Sequence, residues 1–272
     1  MLRRVFLLLV VAVLACPFAL DAQDDYYYVL IKTNMGNMRV RLYNETPEHR
    51  KVFLQLANSG HYNGTLFYRV IKNFVVQGGS SDSRKAPAGK RIGYGESYNI
   101  SSEFVKDCFH KKGALCAPRQ PESVNHFKMS DIAQFYIVHG RVYTDEELDK
   151  LEKAVNNPIL KELRERFLVP HKEELDRLRE EGKIAEYNEL ARKIKSDIEF
   201  EFSVSKHLKF TPEQRKAYTT VGGIPQLDGD YTVFGEVIEG LDVLDKIAAL
   251  ETDKNDRPLK DVVIISVEES YR

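Results

Sequence analysis

One arginine and one glutamine stand in an otherwise largely apolar stretch, Leu66 to Gly79. Around Arg69 and Gln77 lie Phe67, Val70, Ile71, Phe74, Val75 and Val76, β-branched and aromatic types that favour strands. An even spacing nominally puts both polar side chains on one face of a strand, with Lys72-Asn73 interrupting the pairing. A cation and an amide in such surroundings cost free energy unless a partner or a ligand satisfies them. The pair is therefore either a satisfied core network or a floor that binds something.

Other chemistries find no support. The seven histidines form no His-Glu-x-x-His group and the cysteines no Cys-x-x-Cys, so no metal site is expected. Ser80 and Ser81 follow Gly78-Gly79 without a Gly-x-Ser-x-Gly elbow. The glycines of Gly78 to Gly95 fit a loop and match neither phosphate-binding pattern. A net charge of -1 gives no reason to expect a nucleic-acid partner, and no cofactor motif is present.

The elements that must position Arg69 and Gln77 read as a β domain. Tyr26 to Thr33 and Met38 to Tyr43 form a hairpin across Asn34 to Asn37. Thr46, as N-cap, and Pro47 open a helix carrying Val52, Phe53, Leu56 and Ala57, a lid over a sheet or barrel end. Gly113 to Ala117 and Gln134 to Val138 are further strands, separated by a long polar loop from Arg119 to Asp131. Strand chemistry returns at Tyr218 to Gly223. It continues from Leu227 to Val237 and closes with a helix, Leu241 to Leu250, and a strand, Val262 to Val267.

Between these halves the chain is dense in Glu, Lys and Arg, with leucines at helical spacing. Thr144 to Glu147 is a capping box. Three apolar runs follow, from Leu148, from Ile159 after Pro158, and from Leu175 to Ile194, and Thr211-Pro212-Glu213 opens a short last helix. The division is a β domain of residues 23–140 and 221–272 with a helical insertion at 141–220. At the start, Met1 to Arg4 is basic, Val5 to Leu14 is apolar, and small residues precede Gln23, the pattern of a signal peptide over residues 1–22. Export, most simply to a periplasm, is the expectation, with a lipid anchor on Cys16 as the alternative and the only membrane attachment foreseen. Cys108 and Cys116 are then left in an oxidising compartment, and Cys116 reads as a buried small hydrophobe.

Three blocks carry a resemblance. Phe67 to Ile71 with Phe74 to Gly79, then Gln134 to Ile137, then Leu227 to Gly235 resemble, in order, the signatures of the cyclophilin family of peptidyl-prolyl cis-trans isomerases. The resemblance covers about Tyr28 to Gly140 and Val221 to Val267. It implies a mainly β fold, an eight-stranded antiparallel barrel capped by two helices, with the active site on its outer surface. It also implies rotation of X-Pro bonds in polypeptide substrates without a cofactor. Arg69 matches the catalytic arginine, with Gln77 holding it. Phe74, Val75, Tyr136, Leu227 and Tyr231 match the proline seat, and Gln134 would bind substrate backbone beside Gln77. The chain departs from the family at Gln226, where tryptophan is frequent, at Tyr231 in place of a histidine, at Ile132-Ala133 and at Pro118-Arg119. Weak cyclosporin binding is the expected result of Gln226. The functional alternative is a proline-segment-binding chaperone or scaffold of low activity, with the insertion contacting clients or partners.

Overall fold

The computed structural model describes residues 26–270, so the signal-peptide expectation and Cys16 lie outside the described residues. β1 (Tyr27–Thr33) and β2 (Gly36–Leu42) form the first hairpin, in register from Tyr27↔Leu42 to Thr33↔Gly36. Their side chains alternate, and Val29, Ile31, Met38, Val40 and Leu42 are fully buried. The other strands of the main sheet are β3 (Phe67–Val70), β4 (Val75–Gly78), β6 (Ala114–Cys116), β8 (Phe135–Val138), β9 (Val233–Glu239) and β10 (Ile264–Ser270). They run antiparallel in the order β10-β1-β2-β9-β6-β8-β4-β3. The edges meet at the Leu66↔Val263 bridge, where Phe67 N–H donates to Val262 O at 2.9 Å and Ile264 N–H to Thr65 O at 2.8 Å. The sheet thus curls into the expected eight-stranded barrel. A separate short pair joins β5 (Asn99–Ile100) to β7 (Ser130–Asp131) within the long loops.

Two helices cap the barrel. α1 (Pro47–Asn58) drives Phe53 into the core beside Tyr62, Phe135 and Phe234, with ring centroids 5.0 to 5.7 Å apart. Truncating such a buried ring costs about 3–5 kcal/mol. α6 (Leu241–Ala248) buries Val243, Leu244 and Ile247 at helical spacing. Thr46 holds the N-cap position of α1, but its side chain makes no capping bond. The carboxylate of Glu103 caps the helix instead, accepting from Glu48 N–H at 3.2 Å and His49 N–H at 2.9 Å.

The helical segment 141–220, expected as an insertion and so called below, leaves and rejoins the barrel at one point. Arg141 N–H donates to Gly223 O at 3.2 Å, and Gly223 N–H returns a bond to Arg141 O at 2.9 Å. Glycine is needed there because a Cβ on Gly223 would overlap the His110 carbonyl and the Tyr218 ring. The helices are α2 (Asp145–Phe167), α3 (Lys172–Glu180), α4 (Ile184–Val204) and α5 (Pro212–Thr220). The Thr144/Glu147 capping box forms as expected, and Thr211 and Gln214 form a second.

Two expectations need correction. The first two apolar runs are one helix, since α2 continues through Pro158 with Leu148 and Leu163 both buried, packing that outweighs one lost backbone bond. Tyr218 to Thr220 is helix, not strand. Its β-branched residues are overridden by the α5 capping box and by burial of Tyr218 against Phe109, Tyr143 and Phe210. That aromatic cluster, with Leu148, roots the insertion on the barrel.

Candidate functional site

The site begins as one row across five strands. In the ladder registers Arg69 of β3 stands opposite Gln77 of β4, Gln77 opposite Tyr136 of β8, Tyr136 opposite Cys116 of β6, and Cys116 opposite Val233 of β9. Directly opposed residues share a face, so one row carries a cation, an amide and a phenol side by side. This is the outer face, where Val75, Cys116, Tyr136, Ile224 and Val233 form a second apolar cluster with Phe74, Leu227 and Tyr231 against it.

The turn between β3 and β4 brings Phe74 beside Arg69. Asn73 takes a left-handed φ of 62° and Phe74 N–H donates to Ile71 O at 3.0 Å. The Arg69 guanidinium carbon then lies 5.8 Å from the Phe74 ring centroid. Arg69 Nη1 donates to Gln77 Oε1 at 3.5 Å, and its Nε is 3.7 Å from Asp256 Oδ2. Its side chain is 36% exposed and that of Asp256 46%, so the ion pair contributes at most about 1 kcal/mol and leaves donors free. A satisfied core ion pair is not what the fold builds.

Arg69, Phe74, Val75, Gln77, Tyr136, Leu227 and Tyr231 line one cleft of about 190 Å³, joined by Pro118 and Arg119. Gln134 does not line it. It sits behind Tyr68, accepting from the Tyr68 hydroxyl and donating to Asp131 Oδ2 at 3.2 Å. Tyr68 in turn accepts from Gln77 Nε2 at 2.8 Å. A chain of bonds thus runs from Arg69 through Gln77, Tyr68 and Gln134 to Asp131. Burial raises the pKa of Tyr68, and burial followed by Cys116 raises that of Tyr136, so both phenols stay neutral and able to donate.

Sequence reasoning noted Arg119 only as a departure, yet it forms a wall of the cleft. Its guanidinium carbon lies 4.8 Å from the Tyr231 centroid, and Nε donates to Asp230 O at 2.7 Å. Tyr68 and Asp256 were missed. The first had a signal, adjacency to Arg69, while the second has no local pattern. Also missed was a buried relay beneath the cleft. Asp228 Oδ1 meets His110 N and Nδ1, both at 2.9 Å, and His110 Nε2 is 3.0 Å from the Tyr136 hydroxyl. Cys108 and Cys116, the cysteines among the described residues, are unpaired. Burial drives the Cys116 thiol far up, and burial with Glu45 pushes Cys108 up to about 12, so neither is a nucleophile. The cleft offers an arginine donor at the lip of an apolar seat, which suits holding and polarising a neutral amide.

A sequence model of the cyclophilin-type peptidyl-prolyl cis-trans isomerases matches residues 28–163 and 170–269. The match therefore runs through both barrel segments and through the helical segment between them, leaving out residues 164–169, whereas the resemblance read from the sequence stops at Gly140 and resumes at Val221. The protein named "Putative peptidyl-prolyl cis-trans isomerase" of Staphylococcus saprophyticus is 28% identical over 242 residues, 88% of this chain and 90% of its own. Its namesake in Staphylococcus epidermidis is 27% identical over 250 residues, 91% and 94% of the two chains. The crystal structure of a cyclophilin-type isomerase from Cryptosporidium parvum, in the presence of the dipeptide Ala-Pro, superposes with a TM-score of 0.50 at 19% identity. It spans 90% of this chain and 99% of that one, a likeness of fold.

Proposed function

The chain belongs to the cyclophilin-type peptidyl-prolyl cis-trans isomerase family, and from that premise we propose that Arg69 catalyses rotation about X-Pro bonds in exported polypeptides. Amide resonance sets the barrier at about 18–20 kcal/mol, and uncatalysed exchange takes roughly tens to hundreds of seconds. As the bond twists, resonance is lost and the prolyl nitrogen recovers a lone pair. A donor aimed there stabilises the twisted state more than either planar one, which is what lowers the barrier. No covalent bond breaks, so the site requires no nucleophile.

The observation that carries this reading is the Arg69↔Gln77 register beside the apolar cleft. Phe74, Val75, Tyr136, Leu227 and Tyr231 hold the proline ring. Gln77, itself fixed by Tyr68, aims the guanidinium. Gln134 supports Tyr68 from behind the cleft. The test is Arg69→Ala in a protease-coupled assay on a proline peptide, where kcat/KM should fall about 10²–10³-fold with an unchanged circular dichroism spectrum. Activity within threefold of the native protein removes Arg69 from the mechanism.

A second reading rests on the insertion, where Val155 of α2 and Phe200 and Val204 of α4 are 47%, 65% and 66% exposed. Solvent-facing apolar side chains of this kind support chaperone-like contact with unfolded clients. Asn156 bonds both the N–H and the carbonyl of Leu208, at 2.7 and 2.8 Å, so the two limbs lie close enough for a short linker to replace residues 159–204. Such a variant should keep its isomerase rate and lose suppression of client aggregation; unaltered suppression counts against this role. Export rests on the basic and apolar run at the start of the sequence, to a periplasm or to a Cys16 lipid anchor. Mass spectrometry of the mature N-terminus separates the two.

A further inference from the structure

Arg69 is shared by two cavities. The second, of about 370 Å³, is lined by Tyr68, Arg69, Lys90, Arg91, Ile92, Tyr94, Lys254, Asn255 and Arg257. Five of these are cationic and none is acidic, in a chain whose 40 basic and 41 acidic residues nearly balance. The lining is built, not a chance fringe of lysines. Arg257 is 6% exposed, donates to Ala86 O at 2.9 Å and Pro87 O at 2.7 Å, and pairs with Asp261. The loop above is pinned by Asp82, whose carboxylate accepts from Gly93 N–H and Tyr94 N–H, each at 3.2 Å. Lys90 donates to Asp82 O at 2.9 Å. Arg91 and Lys254 are exposed and have no ion-pair partner among the described residues.

We infer that this groove takes the acidic side chains of a substrate segment flanking the proline, selecting proline segments rich in Asp or Glu. The inference rests on the isomerase reading, because a chain seated in the cleft must pass Arg69 to reach the groove. Arg91 and Lys254, with no carboxylate among the lining residues, attract an anionic side chain, and Tyr94 and the Tyr68 ring give its stem apolar contact. Arg257 is neutralised and shapes the floor, which leaves Arg91 and Lys254 as the cations that a substrate carboxylate meets. The pairs formed are exposed, so the attraction must weaken with salt.

The test compares kcat/KM for three peptides sharing one X-Pro core, with neutral flanks, with two Glu before the core and with two Glu after it. The native protein and Arg91→Glu/Lys254→Glu are assayed at low and high salt. One of the two acidic peptides should exceed the neutral one about fivefold in the native protein at low salt. That ratio should fall to about one at high salt, and to one or below in the double variant. Equal rates for all three peptides, or an acidic advantage that survives charge reversal, overturn the proposal. Failure of the isomerase reading would look different, with no turnover of even the neutral peptide by the native protein.

Discussion

The Tyr218 hydroxyl donates to Asp228 Oδ2 at 2.6 Å, so the last helix of the insertion grips the loop that walls the proline cleft. The other carboxylate oxygen belongs to His110, which continues the path to the Tyr136 hydroxyl in the cleft. At the opposite end of the insertion, the Tyr143 hydroxyl donates to Gln226 at 3.2 Å. One tyrosine from each limb thus braces the segment Gln226 to Tyr231, from which Leu227 and Tyr231 face the cleft.

Tyr218→Phe keeps the ring in its aromatic cluster and removes only the donor to a carboxylate. The expected cost is about 1.5–3 kcal/mol of stability, with kcat/KM lowered several-fold mainly through KM, as Leu227 and Tyr231 lose their fixed position. Chemical denaturation and steady-state kinetics read the two effects. A variant that loses stability with unaltered KM shows that the brace does not reach the cleft.

Arg69→Lys should recover little of what Arg69→Ala loses. A lysine keeps the charge but lacks the fork that lets one side chain bond Gln77 and still present a free N–H to the substrate. Its kcat/KM is expected within about threefold of the alanine variant. Recovery to half the native value means that charge alone suffices.

Cyclosporin should inhibit weakly, at micromolar concentrations or above. Gln226 is exposed and held by Tyr143 at the position where the family frequently carries tryptophan, so the aromatic contact is absent. Gln226→Trp should tighten inhibition by about tenfold or more, the usual weight of a buried tryptophan anchor. Nanomolar inhibition of the native protein would falsify the first expectation.

Stability should decline on acidification in two stages. Burial lowers the pKa of His49 against the pull of Glu103, and burial with Lys112 lowers that of His139. Below the ordinary histidine value of 6.5 the unfolded chain therefore binds protons that the fold refuses, and stability present above 6.5 is lost as pH falls. Burial works to raise Glu236, but Lys111 and Arg41 outweigh it and leave the carboxyl below its ordinary 4.5. Its contribution is present above 4.5 and is lost below that value. Melting temperature against pH should show both stages, with the upper one reduced in His49→Gln. A melting temperature that rises from pH 6.5 to 5 contradicts the assignment.

Much of the site could be read from the chain because it lies on strands. Even spacing nominally put Arg69 and Gln77 on one face, and Tyr136 came with the resemblance; the ladder sets all three in one row. Arg119 and Asp256 enter from loops, whose return path no local pattern specifies. His110, Tyr218 and Asp228 meet only through tertiary packing. Gln134 shows the limit of reading roles by resemblance, since its amide is turned away from the cleft toward Tyr68 and Asp131. The α5 segment was misread because β-branched residues were weighed ahead of a capping box and a buried ring.

The mutual bonds between Arg141 and Gly223 make the insertion a detour that begins and ends at a single point. Its ends are already clasped, so the length of chain between them imposes no change of register on the barrel and adds closure entropy only logarithmically. The clasp is thus a socket for exchange. A different appendage entering and leaving at this glycine would leave the strand ladder intact, provided it supplies its own donors to Asp228 and Gln226.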